Sequence, residues 1–198
     1  MHGVDNSCVH VIDDDVAVLN ALARLLGAAG LPVQTFASAK EFFAQHSPEQ
    51  RGCLVLDLLL PGANGLEVQE ALAGEDCPLP VVFLSGHGDV VASVRAMKAG
   101  AVDFLTKPFE AEALIAAVRQ ALARDGVAAR VASLTPRERQ VLGQLVEGKL
   151  NKQIAAELGA SEKTIKVHRA RVLQKMAARS IAGLVRMTER AGLRAAAK

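Results

Sequence analysis

A short apolar run that ends in an acid, Cys53-Leu54-Val55-Leu56-Asp57 (CLVLD), decides the fold. Its apolar residues have the length and character of a β-strand, and the run leads directly into Asp57. Polar residues follow other apolar runs in the same way: Asp13 and Asp14 follow Cys8–Ile12, Ser85 follows Val81–Leu84, and Lys107 comes soon after Val102–Leu105. Because the carboxyl ends of parallel strands gather at one edge of a sheet, we expect these polar side chains to lie close together.

Strands and helices alternate through the first half of the chain. Short apolar runs predict strands, and apolar residues at helical spacing predict helices. The predicted strands are Cys8–Ile12, Pro32–Phe36, Cys53–Leu56, Val81–Leu84 and Val102–Leu105. The predicted helices are Val16–Ala29, Lys40–Gln45, Gly65–Leu72, Val90–Lys98 and Glu110–Ala123. This alternation predicts an α/β domain in which helices cover both faces of a parallel sheet.

The expected cluster of Asp13, Asp14 and Asp57 has a definite chemistry. Three close carboxylates repel one another, and a bound Mg²⁺ ion relieves that repulsion while it accepts phosphate oxygens. A carboxylate held beside Mg²⁺ can attack phosphorus and form an acyl phosphate, which makes Asp57 the candidate phosphoacceptor. Lys107 would supply a second positive charge, and the Ser85 hydroxyl would donate a hydrogen bond to a phosphoryl oxygen. A lone Asp at a strand end is usually a cap or a turn residue. Five polar residues in this order at strand ends favour a phosphorylation site instead.

The charge of the chain changes sign along its length. Residues 1–129 carry 8 basic and 16 acidic side chains, a balance of −8, whereas residues 130–198 carry 15 basic and 5 acidic side chains, a balance of +10. The acidic part suits a cation site, and the basic part suits a polyanion. A short segment rich in small residues, 124–133, lies where the sign changes, and we predict that it is the linker between domain 1–123 and domain 134–198.

The remaining composition favours a cytoplasmic protein without a membrane partner. The cysteines Cys8, Cys53 and Cys77 show neither disulfide nor metal spacing, so reduced, buried thiols are expected. The amino terminus has no signal-like segment, and no apolar run approaches the roughly 20 residues that a membrane span needs.

The basic half contains only predicted helices. The segment Thr135-Pro136-Arg137-Glu138 is typical of a helix start, with a capping Thr, Pro at the first position and Glu three residues after the cap. Two helical stretches, Asn151–Leu158 and Glu162–Met176, follow with a short turn at Gly159 between them, and Ser161 is suited to cap the second. This pattern is typical of a helix-turn-helix.

The second helix of this pair has two distinct faces. Ile165, Val172 and Met176 fall on the face expected to meet the core. Lysines and small apolar residues fall on another face, which suits the major groove of DNA: Lys163, Lys166, Val167 and Ala170. Candidates for contacts with DNA phosphates are Lys152, Thr164, His168, Arg169, Arg171 and Lys175. The alternative is a basic, solvated helical bundle that binds no DNA.

The first half resembles the receiver domain of two-component response regulators, and residues 5–123 carry the resemblance. The matching motifs are Val11-Ile12-Asp13-Asp14-Asp15, Leu54-Val55-Leu56-Asp57 with Pro61-Gly62, Ser85-Gly86-His87-Gly88-Asp89 and Thr106-Lys107-Pro108-Phe109. The stretch from Ala96 to Phe104 (AMKAGAVDF) is similar to the FixJ branch of the family. The resemblance implies a flavodoxin-like sheet of strand order 2-1-3-4-5.

The same resemblance implies roles for individual residues. Asp57 would accept the phosphoryl group, and Mg²⁺ would be held by Asp13, Asp14, Asp57 and the main-chain carbonyl of Leu59. Ser85 and Phe104 would be switch residues, and the Lys107–Pro108 peptide would be cis. His87 lies close to this pocket in the sequence, and a loop or capping role is favoured over a phospho-shuttle.

The second half resembles the four-helix LuxR-type DNA-binding domain, over residues 134–192. The matching motifs are Leu134-Thr135-Pro136-Arg137-Glu138-Arg139-Gln140-Val141-Leu142, Asn151-Lys152-Gln153-Ile154-Ala155 and Thr164-Ile165-Lys166-Val167-His168. The resemblance implies that Lys166, Val167 and Ala170 approach the bases and that the last helix, Ile181–Ala191, is a dimerisation element. Its residues Ile181, Leu184, Val185 and Thr188 recur at helical spacing, so they fit an ordinary core equally well.

Together the two resemblances imply a transcriptional regulator rather than an enzyme. A sensor histidine kinase would phosphorylate Asp57, Ser85 would move inward and Phe104 would rotate into the vacated space. The face formed by Val90–Lys98 and Val102–Thr106 would then become a dimer surface. The homodimer would bind promoter DNA at half-sites roughly 34 Å apart, with RNA polymerase as a further partner.

One departure from the receiver pattern is Leu59, where the family usually has a polar residue two positions after the phosphoacceptor. Because Leu59 offers no hydrogen bond to an attacking water, we expect slow loss of the phosphoryl group. The same residue argues against an aspartyl-phosphate phosphatase, which would need a carboxylate there. The complete set of Asp13, Asp14, Asp57, Ser85 and Lys107 argues against a DNA-binding protein with a vestigial receiver.

Overall fold

The computed structural model describes residues 7–47, 50–74, 79–86 and 90–192. They form two compact units that divide between Asp125 and Gly126. In the first unit the strands are β1 (Ser7–Ile12), β2 (Val33–Phe36), β3 (Arg51–Asp57), β4 (Leu59–Leu60), β5 (Ala63–Asn64), β6 (Val81–Ser85) and β7 (Asp103–Thr106). The helices that accompany them are α1 (Val16–Ala28), α2 (Ala39–Gln45), α3 (Gly65–Ala73), α4 (Val90–Lys98) and α5 (Ala111–Ala132).

The main sheet has the order β2-β1-β3-β6-β7, and all of its pairs are parallel. The short strands β4 and β5 form a separate antiparallel hairpin after β3. The predicted order 2-1-3-4-5 is therefore confirmed, because β6 and β7 are the fourth and fifth strands of the main sheet. Strand β3 lies in the centre, which explains why its apolar run is continuous.

Residues that alternate along the strands divide the core into two layers. Leu54 and Leu56 of β3 face one cluster, which contains Phe42 of α2, Leu72 of α3 and Ala96 of α4. Cys53 and Val55 face the opposite cluster, to which α1 contributes Leu22 and Leu26 and α5 contributes Leu114 and Val118. This is the two-sided helical cover that the sequence predicts.

Polar side chains cap the helices α1, α2 and α3. The Asp15 carboxylate accepts a hydrogen bond from the Ala17 amide at 2.8 Å and so begins α1. Ser38 caps α2 through the Glu41 amide, and Asn64 and Glu67 form a reciprocal capping box at α3. These caps satisfy amide groups that have no partner within the helix, and they fix where each helix begins beside the carboxyl edge of the sheet.

The amino edge of the sheet is held by an ion pair between β3 and α5. The Asp125 carboxylate, 2% exposed, accepts hydrogen bonds from Arg51 Nε at 3.1 Å and from the Gly52 amide at 3.2 Å. Gly52 has a φ of +142°, and a Cβ there would lie 1.8 Å from the Cys8 carbonyl oxygen on β1. Only glycine allows β1 and β3 to approach so closely.

Helix α5 is longer than predicted. We expected it to end at Ala123, with a linker from 124 to 133, but the helix continues to Ala132. The segment is rich in Ala and contains no Pro, and its Val127 and Val131 are spaced to share one helix face. Val127 is buried in the core of the second unit and Val131 packs against that core, so burial favours helix where composition indicated a linker.

The second unit contains the helices α6 (Pro136–Val146), α7 (Asn151–Glu157), α8 (Glu162–Lys175) and α9 (Ile181–Arg190). Its core includes Val141, Ile154, Ile165 and Leu184. The turn between α7 and α8 contains Gly159 with a φ of +59°, and the Ala160 amide donates to the Ala155 carbonyl across it. Ser161 then caps α8 through the Thr164 amide, as predicted.

Both cysteines within the described residues are free thiols. Cys53 is buried as predicted, whereas Cys8 is only partly buried. Burial raises the pKa of the Cys53 thiol to about 12, so this thiol stays protonated at neutral pH. Cys77 lies outside the described residues.

His10 makes the stability of the first unit depend on pH. The side chain on β1 is 1% exposed between Phe36 and Phe42, and its ring nitrogens have no hydrogen-bond partner among the described residues. The pKa of His10 is lowered from 6.5 to about 4, mainly by burial and also by the nearby His46. The folded protein therefore excludes the imidazolium, whereas the unfolded chain accepts the proton.

We expect the stability that neutral His10 provides to be complete above pH 6.5 and to fall as the pH decreases toward 4. The full loss should be about 3 kcal/mol. Urea midpoints measured by circular dichroism at pH 7.5 and 5 should differ much less in His10→Leu than in the wild type. His168→Gln, in the other unit, is the control and should keep the acid sensitivity. An unchanged pH dependence in His10→Leu would show that other groups cause it.

Candidate phosphorylation site and nucleic-acid interface

Three carboxylates meet at the carboxyl edge of the main sheet. Asp13 and Asp14 follow β1 and Asp57 ends β3, and each offers an oxygen within 4.8 Å of those of the other two. Asp13 is 1% exposed and Asp57 is 8% exposed, whereas Asp14 is open to solvent. The structure therefore brings together the three acids that the sequence predicted to be neighbours.

Lys107 supplies the positive charge of this pocket. Its Nζ lies 2.6 Å from Asp13 Oδ2 and 3.6 Å from Asp57 Oδ1. The Lys107–Pro108 peptide is cis, as the resemblance to receiver domains implies. The Lys107 amide also donates to the Ser85 carbonyl at 2.7 Å, so the loop after β7 is fixed to the end of β6.

The surroundings of Asp57 raise the pKa of its carboxyl. Burial is the largest cause, the nearby charge of Lys107 opposes it, and the charges of Asp13 and Asp14 add to the increase. The carboxylate of Asp57 is therefore less stable in this site than in water. A group that places more positive charge beside it would favour the ionised, nucleophilic form.

The acidic site fits a hard divalent cation. Mg²⁺ binds carboxylate oxygens, keeps several waters and needs few protein ligands. One buried and one exposed acid beside Asp57 provide such ligands while leaving a side open to solvent. Receiver domains bind Mg²⁺ at an acidic pocket of this kind, and Asp13, Asp14 and Asp57 are the residues here that could hold it.

Three other predicted receiver residues, Ser85, Phe104 and Leu59, lie on β6, β7 and β4. Ser85 is 1% exposed at the end of β6, one position after Leu84, the residue that pairs with Asp57 across the sheet. Phe104 on β7 is half-buried, with its ring centroid 6.1 Å from that of Phe83. The Leu59 side chain is 60% exposed beside the site. His87 lies outside the described residues.

Two supporting residues of the site escaped the sequence analysis. Asp15, next to the acidic pair, begins α1, and its amide donates to Asp13 Oδ1 at 3.0 Å. A Cβ on Gly65 would lie 2.7 Å from the Asp57 carbonyl oxygen, so glycine lets α3 begin against the phosphoacceptor strand. The run Asp13-Asp14-Asp15 signalled the first of these, whereas no local pattern signalled the second.

Helix α8 presents the polar face that the sequence predicted. Ile165, Val172 and Met176 are 0% exposed in the core. The proposed DNA-facing residues are exposed to solvent, except for half-buried His168: Lys152, Lys163, Thr164, Lys166, Val167, Ala170 and Arg171. The surface that these residues form, with Val167 47% exposed, combines positive charge with small apolar groups.

Two basic residues of α8 are engaged within the protein. Lys175 Nζ lies 2.7 Å from Glu138 Oε2, and Arg169 Nη1 donates to Asn151 Oδ1 at 3.3 Å. The sequence pattern favours both as phosphate contacts, but in the structure each is bonded to another residue of the chain. Charge alone does not separate a basic residue that faces DNA from one that is paired with a distant residue of the chain.

The last helix packs through its repeated residues. Leu184 is 0% exposed and Thr188 is 2% exposed, and the Thr188 hydroxyl donates to the Leu184 and Val185 carbonyls. Ile181 packs against the same core. Packing within a single chain is therefore enough to explain the helical spacing of these residues.

Comparison with known proteins agrees with both halves of the chain. Residues 9–119 match the response regulator receiver domain, and residues 132–188 match the bacterial regulatory proteins of the luxR family. The chain is 47% identical to the transcriptional regulatory protein FixJ of Azorhizobium caulinodans, over 93% of each protein. It is 46% identical to the response regulator protein TodT of Pseudomonas putida, over 93% of this chain and 86% of TodT.

Solved structures support the same assignment. The response regulator StyR is 46% identical with a TM-score of 0.57, and the match covers 93% of this chain and 98% of StyR. Full-length FixJ from B. japonicum is 43% identical with a TM-score of 0.52, and the match covers 96% of this chain and 99% of FixJ.

The fold and the two domain matches define a transcriptional response regulator, a class that regulates transcription in two-component systems and is not enzymatic. Within that class the chain belongs to the FixJ/NarL family, whose members join a receiver to a LuxR-type DNA-binding domain. This assignment removes the phosphatase alternative. Within the described ranges, every helix lacks the length or the apolar character needed to cross a membrane.

Proposed function

We propose that this response regulator is switched by phosphorylation of Asp57 by a sensor histidine kinase. The observation that carries the proposal is the position of the Asp57 carboxylate, 3.6 Å from Lys107 Nζ and in one cluster with Asp13 and Asp14. We assign residues 1–125 to the receiver and residues 126–198 to the DNA-binding domain.

Asp13, Asp14 and Asp57, with the main-chain carbonyl of Leu59, would hold Mg²⁺. When bound, the ion neutralises negative charge on phosphoryl oxygens and so lowers the barrier to transfer. Lys107 performs the same task from the protein side, because its ammonium already lies between Asp13 and Asp57. The Ser85 hydroxyl donates a hydrogen bond to a phosphoryl oxygen.

The transfer is a single displacement at phosphorus. An oxygen of the Asp57 carboxylate forms the new P–O bond while the P–N bond of the kinase phosphohistidine breaks, and the electron pair of that bond returns to the imidazole. Positioning and charge neutralisation provide the rate enhancement, so the burial of Asp13 and Asp57 favours a fixed geometry.

Phosphorylation then shifts the receiver between two conformations. Ser85 moves toward the phosphoryl group, and the half-buried Phe104 ring follows into the vacated space. The surface that responds includes α4, whose Val90 is 72% exposed and whose Val94 and Met97 are each 46% exposed. Exposed apolar residues of this kind suit a surface that a second copy of the chain covers.

Dimerisation places two copies of α8 on promoter DNA. Lys163, Lys166, Val167 and Ala170 face the major groove, whereas Lys152, Thr164, His168 and Arg171 contact the backbone. RNA polymerase is the expected further partner at the promoter. A cytoplasmic location accords with the kinase and DNA partners.

The acceptor can be identified by chemical trapping. The protein is treated with acetyl phosphate and Mg²⁺, and borohydride then reduces any aspartyl phosphate to homoserine, which peptide mass spectrometry locates. We expect homoserine in place of Asp57. Homoserine at Asp13 or Asp14, or its absence from every peptide, would contradict the proposal.

Leu59 should make phosphorylated Asp57 long-lived. The exposed apolar side chain beside the acceptor cannot hydrogen-bond to an attacking water. We expect Leu59→Asn to speed phosphate release about fivefold, which corresponds to one hydrogen bond of about 1 kcal/mol. Leu59→Met is the matched control and should release phosphate at the wild-type rate. Equal time courses for all three proteins would remove this role.

A further inference from the structure

Two adjacent residues at the start of α6 connect this helix to both helices of the helix-turn-helix. Arg137 donates from its guanidinium to the Leu158 carbonyl, where α7 ends. Glu138 accepts a hydrogen bond at 2.7 Å from Lys175 Nζ in the last turn of α8. One dipeptide therefore fixes the end of α7 and the end of α8 with directional, charge-assisted bonds.

The Glu138 carboxylate is enclosed by these interactions. Glu138 is 3% exposed, and besides Lys175 its Oε2 accepts the Thr135 amide at 2.9 Å. The Lys175 hydrogen bond is the largest of the causes that lower the pKa of the Glu138 carboxyl to about 2. The carboxylate is therefore ionised at every pH at which the protein would act.

Lys175 is committed to the same arrangement. Its Nζ also donates to the Ser133 carbonyl at 3.2 Å, so the ammonium is held by two acceptors that precede or begin α6. The lysines of the proposed DNA-facing surface differ, because Lys163 and Lys166 have no ion pair among the described residues. The charge of Lys175 is thus compensated within the protein.

Apolar packing alone leaves the position of α8 less defined. Ile165, Val172 and Met176 anchor the helix in the core, but apolar contacts are not directional. The Glu138–Lys175 bond acts on the carboxyl-terminal turn, beyond the proposed base-contacting residues Lys166, Val167 and Ala170. It therefore opposes sliding or rotation of α8. Because the helix moves as a unit, a small shift at its carboxyl-terminal end would displace those side chains.

We propose that Glu138 and Lys175 are positioning residues for DNA binding, which hold the recognition helix in register, and that Lys175 is not a phosphate contact. The proposal rests on the proposed DNA-binding function of the second unit. It predicts a change in DNA affinity opposite to the one that charge alone would give. Removing an acid from a DNA-binding domain should strengthen binding through charge, whereas loss of positioning should weaken it.

The test uses the full-length protein and a DNA duplex selected by it from a randomised pool in the presence of beryllofluoride and Mg²⁺. Affinity is measured by fluorescence anisotropy over a series of salt concentrations. The variants are Glu138→Gln, Lys175→Gln and Lys166→Gln, with Glu189→Gln as a charge-matched control on the exposed side of α9. Lys175→Arg tests rescue by a conservative change.

We expect Glu138→Gln and Lys175→Gln to weaken binding about tenfold with the wild-type salt slope, because no phosphate contact is lost. Lys166→Gln should weaken binding, and Glu189→Gln should bind as tightly as wild type or more tightly. Lys175→Arg should recover most of the affinity.

Two results would overturn the proposal, and a third would overturn the DNA-binding function on which it rests. Tight binding by Glu138→Gln contradicts positioning. A salt slope reduced by about one in Lys175→Gln makes Lys175 a phosphate contact. If Glu138→Gln does not fold, Lys175→Gln alone decides between these outcomes, because that side chain is 37% exposed. Failure of the wild type to select any DNA contradicts the proposed function instead.

Discussion

Asp57→Asn is expected to abolish phosphoryl incorporation from acetyl phosphate. The substitution keeps the shape of the side chain in its buried site but removes the nucleophilic carboxylate. Asp13 cannot replace it, because its Oδ2 is held at 2.6 Å by Lys107 Nζ and its Oδ1 accepts the Asp15 amide. Intact-mass spectrometry after incubation with Mg²⁺ and phosphodonor should show only unmodified protein.

Asp15→Asn is the matched control for this experiment. Asp15 also lies in the acidic run, but it caps α1, and Asn is an equally good cap. We expect wild-type labelling of Asp15→Asn. Label retained in Asp57→Asn would place the acceptor elsewhere.

The same substitution should raise the free energy of unfolding of the metal-free protein. Burial raises the pKa of the Asp57 carboxyl, so its ionised form is less stable in the folded state than in the unfolded chain. The neutral amide removes that penalty and the repulsion from Asp13 and Asp14. Urea unfolding in the presence of a chelator measures the gain, and a less stable Asp57→Asn would show that Lys107 outweighs burial.

Gly52→Ala is expected to prevent stable folding of the first unit. The added Cβ would lie 1.8 Å from the Cys8 carbonyl oxygen, in a backbone conformation with φ of +142° that side chains rarely adopt. Relief would require β1 and β3 to separate at the centre of the sheet, and with them the pair between Arg51 and Asp125. The cost should exceed about 4 kcal/mol, which is a large part of the stability of an ordinary domain.

Gly27→Ala is the contrasting change. Gly27 lies on the exposed side of α1, and a Cβ there would meet nothing within 4 Å. Ala is favoured over Gly by up to about 1 kcal/mol inside a helix, so this variant should be slightly more stable than wild type. Thermal unfolding compares the two variants. A melting temperature of Gly52→Ala near that of the wild type would contradict the close approach of β1 and β3.

The sequence was sufficient for the features that local patterns encode. The CLVLD run predicted a strand, and the structure places that strand, β3, in the centre of the sheet, where both of its faces are covered. The core face of α8 followed from the spacing of Ile165, Val172 and Met176, and all three are fully buried. The meeting of Asp13, Asp14 and Asp57 followed from the geometry of parallel strands.

Features that depend on distant partners could not be predicted in this way. Asp125 and Arg51 are 74 positions apart, and Glu138 and Lys175 are 37 apart, so no local spacing links them. The extension of α5 to Ala132 depends on burial of Val127, which composition does not reveal. Lys175 is an example: its position on a basic helix predicts a contact with DNA, whereas in the structure it pairs with the distant Glu138.

The most direct test of the switch uses beryllofluoride, which mimics a phosphoryl group on an aspartate, together with Mg²⁺. Sedimentation velocity measures the oligomeric state, and fluorescence anisotropy measures affinity for the selected duplex, each with and without the mimic. We predict a shift from monomer to dimer and tighter DNA binding, both lost in Asp57→Asn. If wild-type protein gives the same oligomeric state and the same affinity in both conditions, Asp57 does not control this regulator.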